Sequence, residues 1–186
     1  MLYILPTDTC FWLACPISEP KSYEKIYQIK KRDKSKPLSI LVPNFAWLEK
    51  NTDLTNDQIN FLKNYEKPFT VLANCSYLKI WLNFVNEENN EEFFNRDIYE
   101  KFAFRVANNE TQKKILKEVW PVFLTSANQS KESEIYSFDE LKSKFWNLIN
   151  EWKITFLWPK KDLTKTKPSE IFEFIDESLE RNFLRK

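Results

Sequence analysis

The chain has 186 residues, 42% hydrophobic and 30% charged, with a net charge of +1; that describes a folded domain of ordinary size and excludes a disordered segment or a strongly basic nucleic-acid binder. It contains no glycine and no histidine, which excludes a Walker P-loop and a G-x-G-x-x-G dinucleotide turn, Ser-His-Asp and Cys-His catalysis, and a histidine-ligated zinc site. Phosphate chemistry, if present, must rest on Lys and Arg side chains.

Met1–Leu5 reads as a short strand stopped at Pro6. Ser18 is expected to cap a helix from about Glu19 to Arg32, where Tyr23, Ile26, Tyr27 and Lys30 follow the i, i+3, i+4, i+7 spacing. Leu38–Val42 is a compact apolar run and hence a buried strand. Thr55 with Gln58 forms a capping box for a helix to about Tyr65. Phe69–Ala73 and Phe102–Val106 read as strands, the second alternating around Ala103 and Arg105. Thr111 is expected to open a helix ending near Trp120, followed by a strand Val122–Thr125. Ser137 and Glu140 make a second capping box, for a helix to about Asn150. Ile154–Trp158, Ile171–Ile175 and Asn182–Leu184 complete the strands. The stretch Asn86–Glu100, with one Arg against six acids, reads as a solvated loop. No repeat or linker interrupts residues 1–186, so the expectation is one α/β domain on a mixed sheet.

Cys10, Cys15 and Cys75 form no C-x-x-C pair, and the natural reading is a reduced, cytoplasmic protein with small buried thiols. The N-terminus has no signal-peptide pattern, and no apolar run approaches the ~18–20 residues of a membrane span.

Four stretches can carry chemistry. Pro6-Thr7-Asp8-Thr9 is a polar strand exit. Lys30-Lys31-Arg32, Lys34 and Lys36-Pro37-Leu38-Ser39 place cations at a helix C-terminus, where the macrodipole welcomes them, and they lead straight into a buried strand; a solvated basic face and an anion site both fit. Thr125-Ser126-Ala127-Asn128-Gln129-Ser130 sets hydroxyls and an amide at a strand end, the edge of an α/β sheet where ligands bind, though an ordinary Ser/Asn turn has the same composition. Lys167-Pro168-Ser169-Glu170-Ile171 is a polar turn entering a strand. Arg105, on a strand between apolar neighbours, is placed to pair with a buried carboxylate, whether a ligand's or the protein's own.

Taken in order, with Cys10-Phe11-Trp12-Leu13 after the first stretch, Phe104-Arg105-Val106 and a final Phe183-Leu184-Arg185, these motifs resemble the Sua5/YrdC/TsaC threonylcarbamoyl-AMP synthases along nearly the whole chain. The resemblance implies a YrdC/RibB-like fold, a twisted mixed sheet with flanking helices around a large basic cavity. It implies synthesis of threonylcarbamoyl-adenylate and pyrophosphate from L-threonine, bicarbonate and ATP, with Mg²⁺ carried by the phosphates and no protein metal site. A downstream complex would transfer the threonylcarbamoyl group to adenosine 37 of tRNA. By this resemblance Lys30 and Arg32 hold the triphosphate and serve catalysis, Lys36 adds charge there, and Ser126, Asn128 and Arg185 contact the nucleotide. Thr7, Arg105, Thr125 and Ser169 form the threonine pocket, with Thr9 as a wall. The sequence departs from the pattern at Trp12, where the family has glycine, at Asp8 in place of Glu, and at Asp33, which is placed to pair with Arg32. A double-stranded RNA-binding module of the same fold, with weak RNA affinity, and a nucleotide-binding paralogue without turnover are the alternatives.

Overall fold

The computed structural model describes residues 1–95, 97–119, 121–152, 154–157 and 161–186. Within them the order is β1 (Leu2–Pro6), β2 (Phe11–Pro16), α1 (Pro20–Lys30), β3 (Ser39–Val42), α2 (Phe45–Asn51), α3 (Asn56–Lys63), β4 (Phe69–Ala73) and α4 (Ser76–Asn89). A 3₁₀ turn at Asp97–Tyr99 leads to β5 (Phe102–Val106), α5 (Glu110–Val119), β6 (Val122–Ser126), α6 (Phe138–Trp152), β7 (Ile154–Phe156), β8 (Glu170–Phe174) and β9 (Arg181–Arg185).

Among the described residues the nine strands form one mixed sheet in the order β7-β1-β2-β6-β3-β5-β4-β8-β9. Register sorts its two faces, because paired residues point the same way. Trp12 pairs with Ser126, Leu41 with Arg105, and Ile171 with both Thr70 and Arg185. These residues share one face, and α5 covers part of it with Ile115 and Leu116 beside Leu5, Ala14 and Leu124. The opposite face is the larger core, where Phe11, Phe102, Phe104, Phe123 and Phe172 pack against side chains of α1, α3, α4 and α6. A sheet with one greasy face and one partly polar face leaves room for a site on the second.

Local chemistry accounts for most element ends. The Thr55–Gln58 capping box is present in both directions at the start of α3. The Ser137 hydroxyl accepts from Glu140 N at 3.4 Å before α6. Two caps differ from expectation. Helix α1 starts at Pro20, whose fixed φ and missing N–H suit a first helical position, with Glu19 rather than Ser18 as the N-cap. The Glu19 carboxylate accepts from the Ser22 hydroxyl at 2.7 Å instead of capping the backbone. At α5, Asn109 takes the capping bond from Gln112 N at 2.9 Å, two residues ahead of the expected Thr111.

The missing glycines have a visible cost. Left-handed backbone, which glycine adopts freely, falls here to Lys31, Asn90, Lys131 and Asp176, with φ of 47°, 51°, 73° and 53°. Lys31 and Asn90 are the C-caps of α1 and α4; a side-chain-bearing residue in this region costs about 1–2 kcal/mol unless its surroundings hold it.

Strand β2, helix α2 and helix α4 lie outside the elements expected from sequence. All six residues of β2 are buried, so it shows no alternation to read. Asn44 caps α2 by accepting from Trp47 N at 2.9 Å. Helix α4 has Cys75 at its N-cap without a side-chain bond, and it takes up the first part of the acidic stretch expected to be a loop. Trp120, Lys153 and the end of the expected strand at Trp158 lie outside the described residues. No helix among the described residues is long and apolar enough to cross a membrane.

Candidate active site

Helix α1 delivers Lys30 at its last turn, and its side chain runs inward, only 2% exposed. Its ammonium donates to the carbonyls of Ser126 at 2.5 Å and Asn128 at 2.6 Å. The Lys30 carbonyl in turn accepts from Ser130 N at 2.8 Å. The loop after β6 is therefore laced to the end of α1 from both sides of one residue. Burial, aided by Arg32, pulls the Lys30 ammonium down to about 8. The buried Asn128 amide donates onward to Glu132 O at 2.7 Å, closing the loop on itself.

Arg32 lies just past the left-handed cap. Its guanidinium donates to the carbonyls of Lys36 at 3.1 Å and Pro37 at 3.0 Å. The expected Asp33 pairing is replaced by these carbonyls, and Asp33 accepts from Ser35 N instead. That bond holds the Asp33 carboxyl below its usual range. Arg185 arrives from the far edge of the sheet. The guanidinium of Arg181, 4.8 Å from the Phe61 ring and 5.0 Å from that of Phe183, fastens the β8–β9 hairpin. At its end Arg185 donates from Nε to Ser169 O and from Nη2 to Ser169 Oγ, both at 2.9 Å.

These groups surround a basin of about 1080 Å³. Eight Lys and Arg residues line it against four acids, so its field favours an anion although the whole chain is almost neutral. Lys30, Arg32, Lys36, Ser126, Asn128 and Arg185 are all in its wall. So are Lys131, Lys165 and Lys167. Lys131 and Lys165 carried no signal in the sequence, since each is a single lysine in a loop.

A smaller cavity of about 110 Å³ adjoins the basin and shares Arg32, Ser126, Glu134 and Arg185 with it. Thr9, Trp12, Ser39, Thr70, Thr125 and Ser169 add to its wall. Thr125 borders it from a position paired with Leu13 of the larger core. Thr7 lies apart, in the β1–β2 turn, where its hydroxyl donates to Cys10 O at 2.8 Å. Arg105 lies next door: it lines a groove of about 400 Å³ with Asp8, Lys67, Phe69 and Asn108. There it forms an ion pair with Asp8, and its guanidinium lies 4.7 Å from the Trp12 ring centroid. Burial lowers the guanidinium's pKa while Asp8 opposes the shift. Thr9, Trp12 and Asp8 are thus drawn into the site by geometry, Asp8 as the partner of Arg105 within the chain itself.

Burial pushes the Cys10 thiol up to about 12, so it stays protonated and serves as packing. No cluster of three or more His, Cys, Asp or Glu side chains able to hold a metal occurs among the described residues.

A comparison with known proteins matches residues 1–186 to the Sua5/YciO/YrdC family, described as "Telomere recombination". A threonylcarbamoyl-AMP synthase of Pseudoalteromonas translucida (strain TAC 125) is 25% identical over 147 residues, 78% of this chain and 74% of that one. Among solved structures, a variant of P. abyssi Sua5 superimposes with a TM-score of 0.72 at 19% identity, covering 99% of this chain and 52% of that one. A structure of that protein complexed with L-threonine gives 0.69 at 20% identity. E. coli YciO gives 0.72 at 15% identity, covering all of this chain and 82% of that one. The chain thus spans about half the length of the Sua5 it resembles.

Proposed function

The chain belongs to the Sua5/YciO/YrdC family, and from that membership we propose that it is a threonylcarbamoyl-AMP synthase, making threonylcarbamoyl-adenylate and pyrophosphate from L-threonine, bicarbonate and ATP. The observation that carries the reading is the pair of joined spaces, a basic basin of about 1080 Å³ and a small polar cavity that shares Arg32, Ser126 and Arg185 with it. The basin takes the nucleotide and the cavity takes the amino acid.

Two arginines at the seam put positive charge where the two substrates must meet. In this scheme the threonine amine attacks the bicarbonate carbon and water leaves, giving a carbamate. A carbamate oxygen attacks the α-phosphorus, and pyrophosphate leaves. Arg32 and Arg185 neutralise charge at that junction, while Lys30 keeps the loop bearing Ser126 and Asn128 in place. Preorganised positive charge of this kind is typically worth ~10²–10³ in turnover per group. Mg²⁺, travelling with the triphosphate, would add charge neutralisation at the leaving pyrophosphate. Ser169, Thr70 and Thr9 offer hydroxyls to the amino acid, and Arg105 offers a cation for its carboxylate once released from Asp8. The product would pass to a tRNA-modifying complex.

A second reading, nucleotide binding without turnover, is favoured by one observation: the Trp12 indole stands in the wall of the small cavity and stacks on Arg105. Pyrophosphate release separates the two readings. Release from ATP that requires both L-threonine and bicarbonate, and is weaker with L-serine, supports the synthase. ATP binding without release under any of these conditions refutes it.

A further inference from the structure

If the small cavity takes the amino acid, as proposed above, its own space does not enclose the whole molecule in this conformation. An apolar cavity of about 150 Å³ holds benzene, and L-threonine has more heavy atoms than benzene. The cavity offers about 110 Å³. The bulkiest side chain in its wall is Trp12. The indole is 6% exposed, its Nε1–H donates to the Thr9 hydroxyl at 3.1 Å, and the Arg105 guanidinium lies over its ring.

The same stack divides the site. Trp12 lines the small cavity, and Arg105 lines the groove of about 400 Å³ beyond it. Arg105 carries a further sign of an unfilled role: its Nη1 is buried and has no hydrogen-bond partner among the described residues. A buried, unpaired guanidinium nitrogen is costly to maintain, and a carboxylate would satisfy it. The group suited to hold the amino-acid carboxylate thus lines one space, and the indole it touches lines the other, next to the nucleotide basin.

We infer that Trp12 is a gate in the amino-acid site, a partition that must swing aside for L-threonine to reach from Arg105 into the cavity beside the nucleotide basin. Opening it breaks the Nε1–H bond to Thr9 and the contact with Arg105. Binding then occurs only to the fraction of molecules in which the gate is open, and the observed affinity falls by that fraction. A smaller amino acid demands less displacement and is penalised less, so the preference for L-threonine over L-serine comes from contacts its methyl group makes inside the cavity, not from the gate.

The test is calorimetric titration of the full chain with L-threonine and with glycine in bicarbonate-depleted buffer, where no adenylate forms. Losing one cation–π contact and one hydrogen bond relieves a penalty of roughly 5- to 100-fold in affinity. Trp12→Ala should tighten L-threonine binding by that factor and glycine binding by less. Trp12→Phe, which removes the hydrogen bond to Thr9 and keeps an aromatic ring, should give an intermediate gain and decides the matter if Trp12→Ala does not fold. Unchanged or weaker L-threonine binding in the folded variants overturns the gate while leaving the synthase reading intact. No L-threonine binding by the wild type or any variant overturns both.

Discussion

Lys30→Met keeps the length of the side chain and removes its ammonium, and two effects of opposite sign can be weighed. The lost bonds are those to Ser126 O and Asn128 O, each worth about 1.5–3 kcal/mol as a hydrogen bond to a charged group. Against them stands the cost of burying the charge. A shift from 10.5 to about 8 corresponds to roughly 3 kcal/mol. The net change in stability is therefore small near neutral pH, between nothing and about 3 kcal/mol lost. Activity should fall much further, by ~10²–10³, because the loop that presents Ser126 and Asn128 loses its tie.

The pH dependence gives a sharper check. The folded-state pKa lies below the unfolded value, so the burial cost is fully present below about 8 and is relieved as pH rises toward 10.5. Urea unfolding at about pH 7.5 and about pH 9.5 should show the wild type gaining about 2 kcal/mol relative to Lys30→Met. A difference that stays flat would show that the ammonium remains charged, with the two carbonyls outweighing its burial. Near-normal pyrophosphate release by Lys30→Met would show that the loop keeps its place without the Lys30 tie.

Asp8→Asn removes the partner of a guanidinium that is 5% exposed; a loss of about 2–3 kcal/mol is expected by urea unfolding, somewhat under the usual cost of orphaning a buried charge because Asp8 itself is partly solvated. Arg185→Ala, which deletes both bonds to Ser169, should raise the KM for ATP by roughly 10-fold while leaving Tm nearly unchanged; an unaltered KM would remove Arg185 from the nucleotide site. Thr55→Ala breaks the capping box of α3 and should cost about 1 kcal/mol with no effect on pyrophosphate release.

The sequence was most legible where a local side chain fixes the backbone. The Thr55–Gln58 box and the alternation of Phe102, Phe104 and Val106 around Ala103 and Arg105 carry their own geometry, and the structure shows both. It was least legible where burial is two-sided or a cap is silent. Strand β2 is buried on both faces. On α4, Leu78, Leu82 and Val85 are buried while Tyr77, Ile80 and Phe84 are exposed apolar residues on its outer side, so no polar face marks the helix. For the site, the ordered motifs name residues that the fold gathers from helix α1, the end of β6 in the middle of the sheet and the β9 edge, with Lys30, Ser126, Asn128 and Arg185 in one wall. Their bonds could not be read in advance. That Arg32 would turn to the carbonyls of Lys36 and Pro37 rather than to Asp33 depends on a left-handed turn at Lys31, in a chain with no glycine to supply one. Asp8, in the turn after β1, pairs with Arg105 on β5 although three strands lie between β1 and β5 in the sheet.

The central claim is that one site joins three substrates, and the product tests it most directly. The purified chain would be incubated with ATP, L-threonine and carbon-13 bicarbonate, and the nucleotide fraction examined by mass spectrometry and carbon-13 NMR. An adenylate that carries both threonine and the labelled carbon, formed together with pyrophosphate, is the predicted result. ATP recovered unchanged, or an adenylate without the labelled carbon, would contradict the account.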